Sequence, residues 1–209
     1  MEHDLGVLIS DDLRWDSQVK AATTKARRAA HSLSRALISR DTRTWTNLYR
    51  TFVRPHIEYA ASAWIPHQAC HFAILGSVQR WYTRQVPGIG NLNHEEREKV
   101  CGLESVAART RRGIAIETFK MTRCGSTDRQ EILATPKHEH LTRGKEAGNF
   151  IHIKPKKDVR KYSFAGAAPV IWDDVGSEAR NATSVNAFKN SYDRQFRSTT
   201  EPKPRNSLF

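Results

Sequence analysis

The stretch Asp16-Ser17-Gln18-Val19-Lys20-Ala21-Ala22-Thr23-Thr24-Lys25-Ala26-Arg27-Arg28-Ala29-Ala30-His31-Ser32-Leu33-Ser34-Arg35-Ala36 decides the fold of this chain. Its apolar positions Val19, Ala22, Ala26, Ala29, Leu33 and Ala36 recur in steps of 3, 4, 3, 4 and 3 residues. That is the narrow stripe of an α-helix packed in a bundle, and alanine along it lets neighbouring backbones approach closely. Asp16 is the expected N-cap, because a short acidic side chain there accepts from the free amides of the first turn. Lys20, Thr24, Arg27, His31 and Arg35 fall beside the stripe, with Arg28 close by, and no acid occurs between residues 17 and 40. One flank of the helix is therefore apolar and the next is basic.

Working outward, Leu5-Gly6-Val7-Leu8-Ile9 reads as one short strand closed by a Ser10-Asp11-Asp12 turn. On the other side, a second helix is expected after Asp41, with Trp45, Leu48, Phe52 and Val53 inward. Pro55 lacks an amide hydrogen, so this helix should break or kink there. It should resume through Ile57, Ala60, Ala61 and Trp64 and end at Pro66. A third helix over 69–85 places Ile74, Leu75, Val78 and Tyr82 on one face, and Pro87-Gly88 stops it. A short helix near 94–100 follows, then a longer one near 104–122 with Val106, Ile114, Ile116 and Phe119. Helical periods return over Val159–Trp172 and Ser184–Phe196, the latter with Val185, Phe188 and Tyr192 on one face.

The fold class is mainly α: a helical bundle preceded by one short β-strand, with a partly irregular C-terminal helical extension. The expected organisation is a strand and turn over 1–15 and a helical domain over 16–123. A linker over 124–158, a helical segment over 159–196 and a disordered, Ser-, Thr- and Pro-rich tail over 197–209 complete it.

Charge narrows the function. Lys plus Arg is 34 against 22 for Asp plus Glu, a net +12, and arginine outnumbers lysine 22 to 12. The planar, always-charged guanidinium is the better phosphate ligand and also stacks on bases. Residues 17–86 hold eleven basic groups and two acids, Asp41 and Glu58, so most of the excess lies there. A second basic cluster, Lys154-Pro155-Lys156-Lys157-Asp158-Val159-Arg160-Lys161, reads as a solvated loop in preference to a nuclear-import or phosphate-binding patch. A surface of this kind favours nucleic acid or an acidic protein. No apolar run approaches the ~20 residues of a membrane helix, and no signal-peptide stretch follows Met1. An intracellular protein, nuclear or cytoplasmic and not secreted, is expected. Cys70, Cys101 and Cys124 lie far apart and read as reduced, buried thiols. Neither His67, Cys70 and His71 nor His138 and His140 have metal-site spacing, so no metal and no cofactor is expected.

Several segments then resemble a known family. Asp4-Leu5-Gly6-Val7-Leu8-Ile9-Ser10 with Leu13 and Trp15 is similar to the strand leaving the polymerase palm in non-LTR (LINE-type, jockey-like) retrotransposon reverse transcriptases. Leu48-Tyr49, Val53-Arg54-Pro55-His56-Ile57-Glu58-Tyr59-Ala60, Trp64 and Pro66 resemble the signature of their thumb, as does Val78-Gln79-Arg80 with Pro87-Gly88. Arg111-Arg112-Gly113 and Glu117-Thr118-Phe119-Lys120 resemble the post-thumb helix. Arg160-Lys161, Phe164, Trp172, Ser184-Val185-Asn186 and Phe188-Lys189 resemble the C-terminal segment. The pieces span about residues 4–196 in the family's order. Trp81-Tyr82 depart from it, standing where the family has a basic and a small residue, and Asp173-Asp174-Val175-Gly176 replaces an Asn-x-Leu-Pro type turn.

The resemblance implies that 16–86 form a helical thumb that grips the template–product duplex, the remainder being the connector after the polymerase. Charge and resemblance together nominate Lys20, Arg27, Arg28, His31, Arg35, Arg54, Arg80 and Arg84 as nucleic-acid-binding residues. The expected partners are the phosphate backbone of an RNA–DNA or DNA duplex and the remainder of a retrotransposon polymerase, with no membrane. Fingers and palm, with their metal-binding aspartates, are expected to be absent. Asp11-Asp12 follow Ile9-Ser10 rather than an aromatic pair and read as a solvated turn, so no polymerase chemistry is expected. The alternatives are a helical protein-interaction module, or a decayed reading frame with no selected function.

Overall fold

At the N-terminus Leu5 and Gly6 take positive φ values of 45° and 82°. Two successive left-handed residues make the tight turn that suits a right-twisted hairpin. The chain accordingly forms strands β1 (Glu2–Asp4) and β2 (Val7–Ile9), paired antiparallel with Glu2 opposite Ile9. The single strand expected over Leu5–Ile9 is thus the turn and second arm of a hairpin, whose first arm, Glu-His-Asp, carries no apolar signal. In this computed structural model the residues described are 1–38, 41–123, 133, 150, 152 and 155–197. Among them the architecture is mainly helical. They fall into two compact units, Met1–Thr110 and Arg111–Phe209.

Helix α1 runs Asp16–Ala36. Trp15 is its N-cap residue and gives no side-chain cap, while Asp16 sits in the first turn beside His71. Val19, Ala22, Ala26 and Ala30 are buried, with Gln18 and Thr23 beside them; Ala29 and Leu33 are half-buried and Ala36 is exposed. The expected stripe is therefore right for two turns and then drifts. A 3-4 repeat averages 3.5 residues, and a straight helix of 3.6 carries such a stripe sideways by about 20° per heptad.

Asp41 accepts from the Thr44 amide at 3.0 Å and starts α2 (Thr42–Leu48) as an N-cap. Tyr49–Val53 is then a π-helical turn, closed by the Arg54 amide on the Tyr49 carbonyl, and α3 (Arg54–Glu58) continues from it. Pro55 neither breaks the helix nor stands alone as a kink. The wider turn preceding it accommodates the proline ring and its missing donor. The same turn rephases the side chains: Trp45, Tyr49, Val53 and Ile57 are buried, each four residues apart, and Phe52 is 52 % exposed. The expected inward position of Phe52 is thereby corrected. The helix also ends at Glu58, not at Pro66. Ala60 takes a positive φ of 51° and Trp64, still buried, donates its indole N–H to the Tyr59 carbonyl at 2.8 Å.

Helix α4 (Ala69–Arg84) buries Leu75, Val78 and Tyr82, while Ile74 lies at the edge of the face and is exposed. Trp45 and Tyr82 stack at 4.4 Å, and each donates to the other's backbone carbonyl, at 3.1 and 3.2 Å. Such a ring pair adds about 0.5–1.5 kcal/mol beyond the area it buries. Cys101 is buried but Cys70, in the first turn of α4, is exposed, which corrects the expectation of uniformly buried thiols; both are free. Helix α5 (His94–Cys101) opens on a reciprocal cap between Asn93 and Glu96 and closes on left-handed Gly102. Helix α6 spans Val106–Arg123, and the boundary between the two units falls within it.

The first unit also contains a polar core. Arg109 pairs with Glu58 and donates to Gln79 Oε1 at 2.8 Å; the same oxygen accepts from the Tyr49 hydroxyl at 2.8 Å. Gln79 in turn reaches the Glu104 carbonyl and Glu98. Burial pushes the Tyr49 phenol up to about 12 and raises the Glu98 carboxyl.

The second unit comprises the end of α6, α7 (Asp158–Lys161), α8 (Phe164–Asp173), α9 (Ser177–Arg180) and α10 (Val185–Arg197). The helix expected over Val159–Trp172 is two helices. A Cβ on Gly166 would collide with the carbonyl oxygens of Arg160 and Lys161, so the turn between them closes only on glycine. Phe188 stacks on Phe119, with ring centroids 4.5 Å apart, and on Trp172 at 6.1 Å. Arg111 pairs with Asp174, and Arg112 with Asp193 through two bonds of 2.6 and 2.9 Å. The linker expected over 124–158 and the tail over 197–209 lie largely outside the described residues.

Candidate nucleic-acid interface

Lys20, Thr24, Arg27, Arg28, His31 and Arg35 are all exposed along α1, on the side away from its alanines. At 1.5 Å per residue the line from Lys20 to Arg35 is about 22 Å long. Three contacts fix how α4 lies beside it. His71 Nε2 is 3.1 Å from Asp16 Oδ1, Arg27 donates to Ser77 Oγ at 2.9 Å, and the His31 and Trp81 rings meet at 4.2 Å with planes tilted 47°. The partners ascend together, so α1 and α4 run parallel. His31 is flanked on α1 by Arg27 and Arg35, one helical turn away on either side, while Trp81 lies one turn from Ser77 and Arg84 on α4.

Arg84 is exposed in the last turn of α4. Arg80, half-buried, lies one turn before it and donates to the Ala73 carbonyl at 2.6 Å. Positive potential from this side is felt at His94, whose imidazole is pushed below its ordinary value by burial first and then by Arg80 and Arg97. Arg54 differs from the other seven nominated residues: its Nε lies 2.9 and 2.7 Å from the two Glu58 oxygens, so that carboxylate occupies its guanidinium. Asp16 carries its charge at the start of α1, its carboxyl held below the usual value chiefly by the hydrogen bond from His71. Trp81 and Ser77 are the contributors that charge and periodicity had not nominated. No sequence signal places them, because the alignment of two helices about 50 residues apart is set by packing.

Asp11 and Asp12 lie exposed in the expected turn, where Asp12 accepts from Ser10 Oγ at 2.6 Å and from the Arg14 amide at 3.1 Å. Those bonds lower its carboxyl, the Ser10 hydroxyl most of all. Among the described residues no group of three His, Cys, Asp or Glu side chains is placed to hold a metal ion, and no helix is long and apolar enough to cross a membrane. In the second basic cluster, Lys156, Lys157, Arg160 and Lys161 are exposed. No family model matches the chain, and no curated protein or solved structure shows significant similarity to it.

Proposed function

We propose that this chain is a reverse-transcriptase-like nucleic-acid-binding protein. Its α1/α4 surface holds the phosphate backbone of a template–product duplex without reading sequence and without polymerase chemistry of its own. The observation that carries this reading is the unbroken exposed face of Lys20, Arg27, Arg28, His31 and Arg35, with no acid between residues 17 and 40. Contacts to phosphate oxygens position a protein on a duplex and carry no base information. The resemblance to a LINE-type thumb supports the same surface. Its remaining partner on that reading is the rest of a retrotransposon polymerase.

The test is a fluorescence-anisotropy titration of an RNA–DNA hybrid at several salt concentrations. Each phosphate contact contributes a log–log slope of about −0.9 by the B-DNA rule. Arg27→Ala with Arg28→Ala should flatten the slope by up to roughly 2 units and weaken all duplex sequences about equally. A protein-interaction module with a merely solvated basic face gives weak binding and a slope that ignores the double substitution, and that result would sink the proposal.

A further inference from the structure

Within the basic surface one spot has a different chemistry. The His31 ring is exposed, and behind it lies Trp81, half-buried, with ring centroids 4.2 Å apart. Around this ring pair stand Arg27, Arg35 and Arg84, all exposed cations. A continuous duplex offers such a spot only phosphates and sugars, because its base faces are stacked on one another. An unpaired nucleotide offers both a phosphate and a free aromatic face. Surfaces that bind single strands combine these two elements, cations that track the backbone and side-chain rings that receive bases.

We infer that the His31–Trp81 ring pair receives an unpaired base, so that the α1/α4 surface prefers a duplex with a single-stranded extension to a blunt duplex. The base lies on the outward face of the His31 imidazole and extends the ring pair by one member. Arg27 and Arg35, one turn to either side on α1, hold the flanking phosphates. Arg27 is pre-positioned for this by its 2.9 Å bond to Ser77, which links the two helices beside the rings. The arrangement is tolerant of base identity, since every base has an aromatic face. This inference rests on the phosphate-binding reading of the same surface.

The experiment compares one fluorescein-labelled RNA–DNA hybrid, blunt, with the same hybrid carrying a short single-stranded extension, at matched salt. Base–aromatic stacking corresponds to roughly 5- to 150-fold in affinity. The extended hybrid should bind at least about 5-fold more tightly by that measure. His31→Ala, at an exposed position, should bring the ratio of the two affinities close to one, and Trp81→Leu should reduce it. Lys20→Ala with Arg28→Ala, which leaves the two arginines flanking the rings in place, should lower both affinities while the preference persists. Salt-sensitive binding of both hybrids at equal affinity would overturn this inference and leave the phosphate-binding reading standing. A preference that survives His31→Ala would overturn it as well. Absence of salt-sensitive binding to either hybrid would remove both.

Discussion

Phe52 and Trp45 belong to the same helical run, and both are large aromatics at positions an α-helical wheel turns inward. The π turn separates them: Trp45 is 1 % exposed and Phe52 is 52 % exposed. Trp45→Ala should cost about 3–5 kcal/mol, the usual range for emptying a buried aromatic site. Phe52→Ala should stay within about 0.5 kcal/mol, as surface substitutions do. Urea unfolding of the two variants measures the difference, and equal losses would contradict the phase of this helix. Tyr49 gives a second test at this scale. Its buried phenol, pushed up to about 12, keeps a proton in the folded chain that an unfolded tyrosine releases near pH 10. Stability from this group is therefore complete below about pH 10 and is lost as pH rises towards 12. Tyr49→Phe should remove about 2–3 kcal/mol of that alkaline decline, read as unfolding free energy against pH. A decline identical to that of the parent chain would show that Tyr49 ionises freely.

Helices whose period is set by their own residues were legible in the sequence, namely α1, α4, α5 and α6, together with the start of α2 after Asp41. What escaped was local backbone that departs from one period. Leu5-Gly6 carries a turn inside an apolar run, and Tyr49–Val53 widens a helix ahead of Pro55. Ala60 takes a left-handed conformation where an alanine reads as helix. Each is imposed by packing or by proline sterics rather than by side-chain pattern. The π turn makes a sharp expectation. The π turn already takes up one extra residue, so inserting an alanine after the exposed Thr51 would rotate Trp45 and Tyr49 by about 100° relative to Val53 and Ile57. Such a variant should lose its cooperative unfolding transition, whereas Thr51→Ala should stay within about 0.5 kcal/mol of the parent. Circular dichroism during thermal unfolding distinguishes the two, and a cooperative insertion variant would refute the phasing role. The candidate interface was legible to the same degree. Once the apolar stripe of α1 is known, the basic face follows from the period, but the alignment of His31 with Trp81 belongs to tertiary packing.

For the whole molecule, a net charge of +12 acts on the free and the bound protein with opposite signs. Self-repulsion destabilises a compact basic chain and salt relieves it, while salt weakens its hold on phosphates. Raising NaCl should therefore increase the Tm of the free protein and decrease the additional Tm conferred by an RNA–DNA hybrid. Differential scanning fluorimetry with and without the hybrid reads both trends; a hybrid effect insensitive to salt would argue against electrostatic binding. The parallel pairing of α1 with α4 has a further consequence, in time. Contacts joining Asp16 to His71 and Arg27 to Ser77 span 55 and 50 residues. Synthesis proceeds at about 5–20 residues per second, so on a ribosome α1 waits roughly 3–10 seconds for its partner to emerge. Helices in proteins draw most of their stability from tertiary packing, and over that interval α1 lacks its packing against α4. The segment that gives the mature surface its charge therefore stays unpacked on that side until α4 arrives, a basic stretch beside ribosomal RNA.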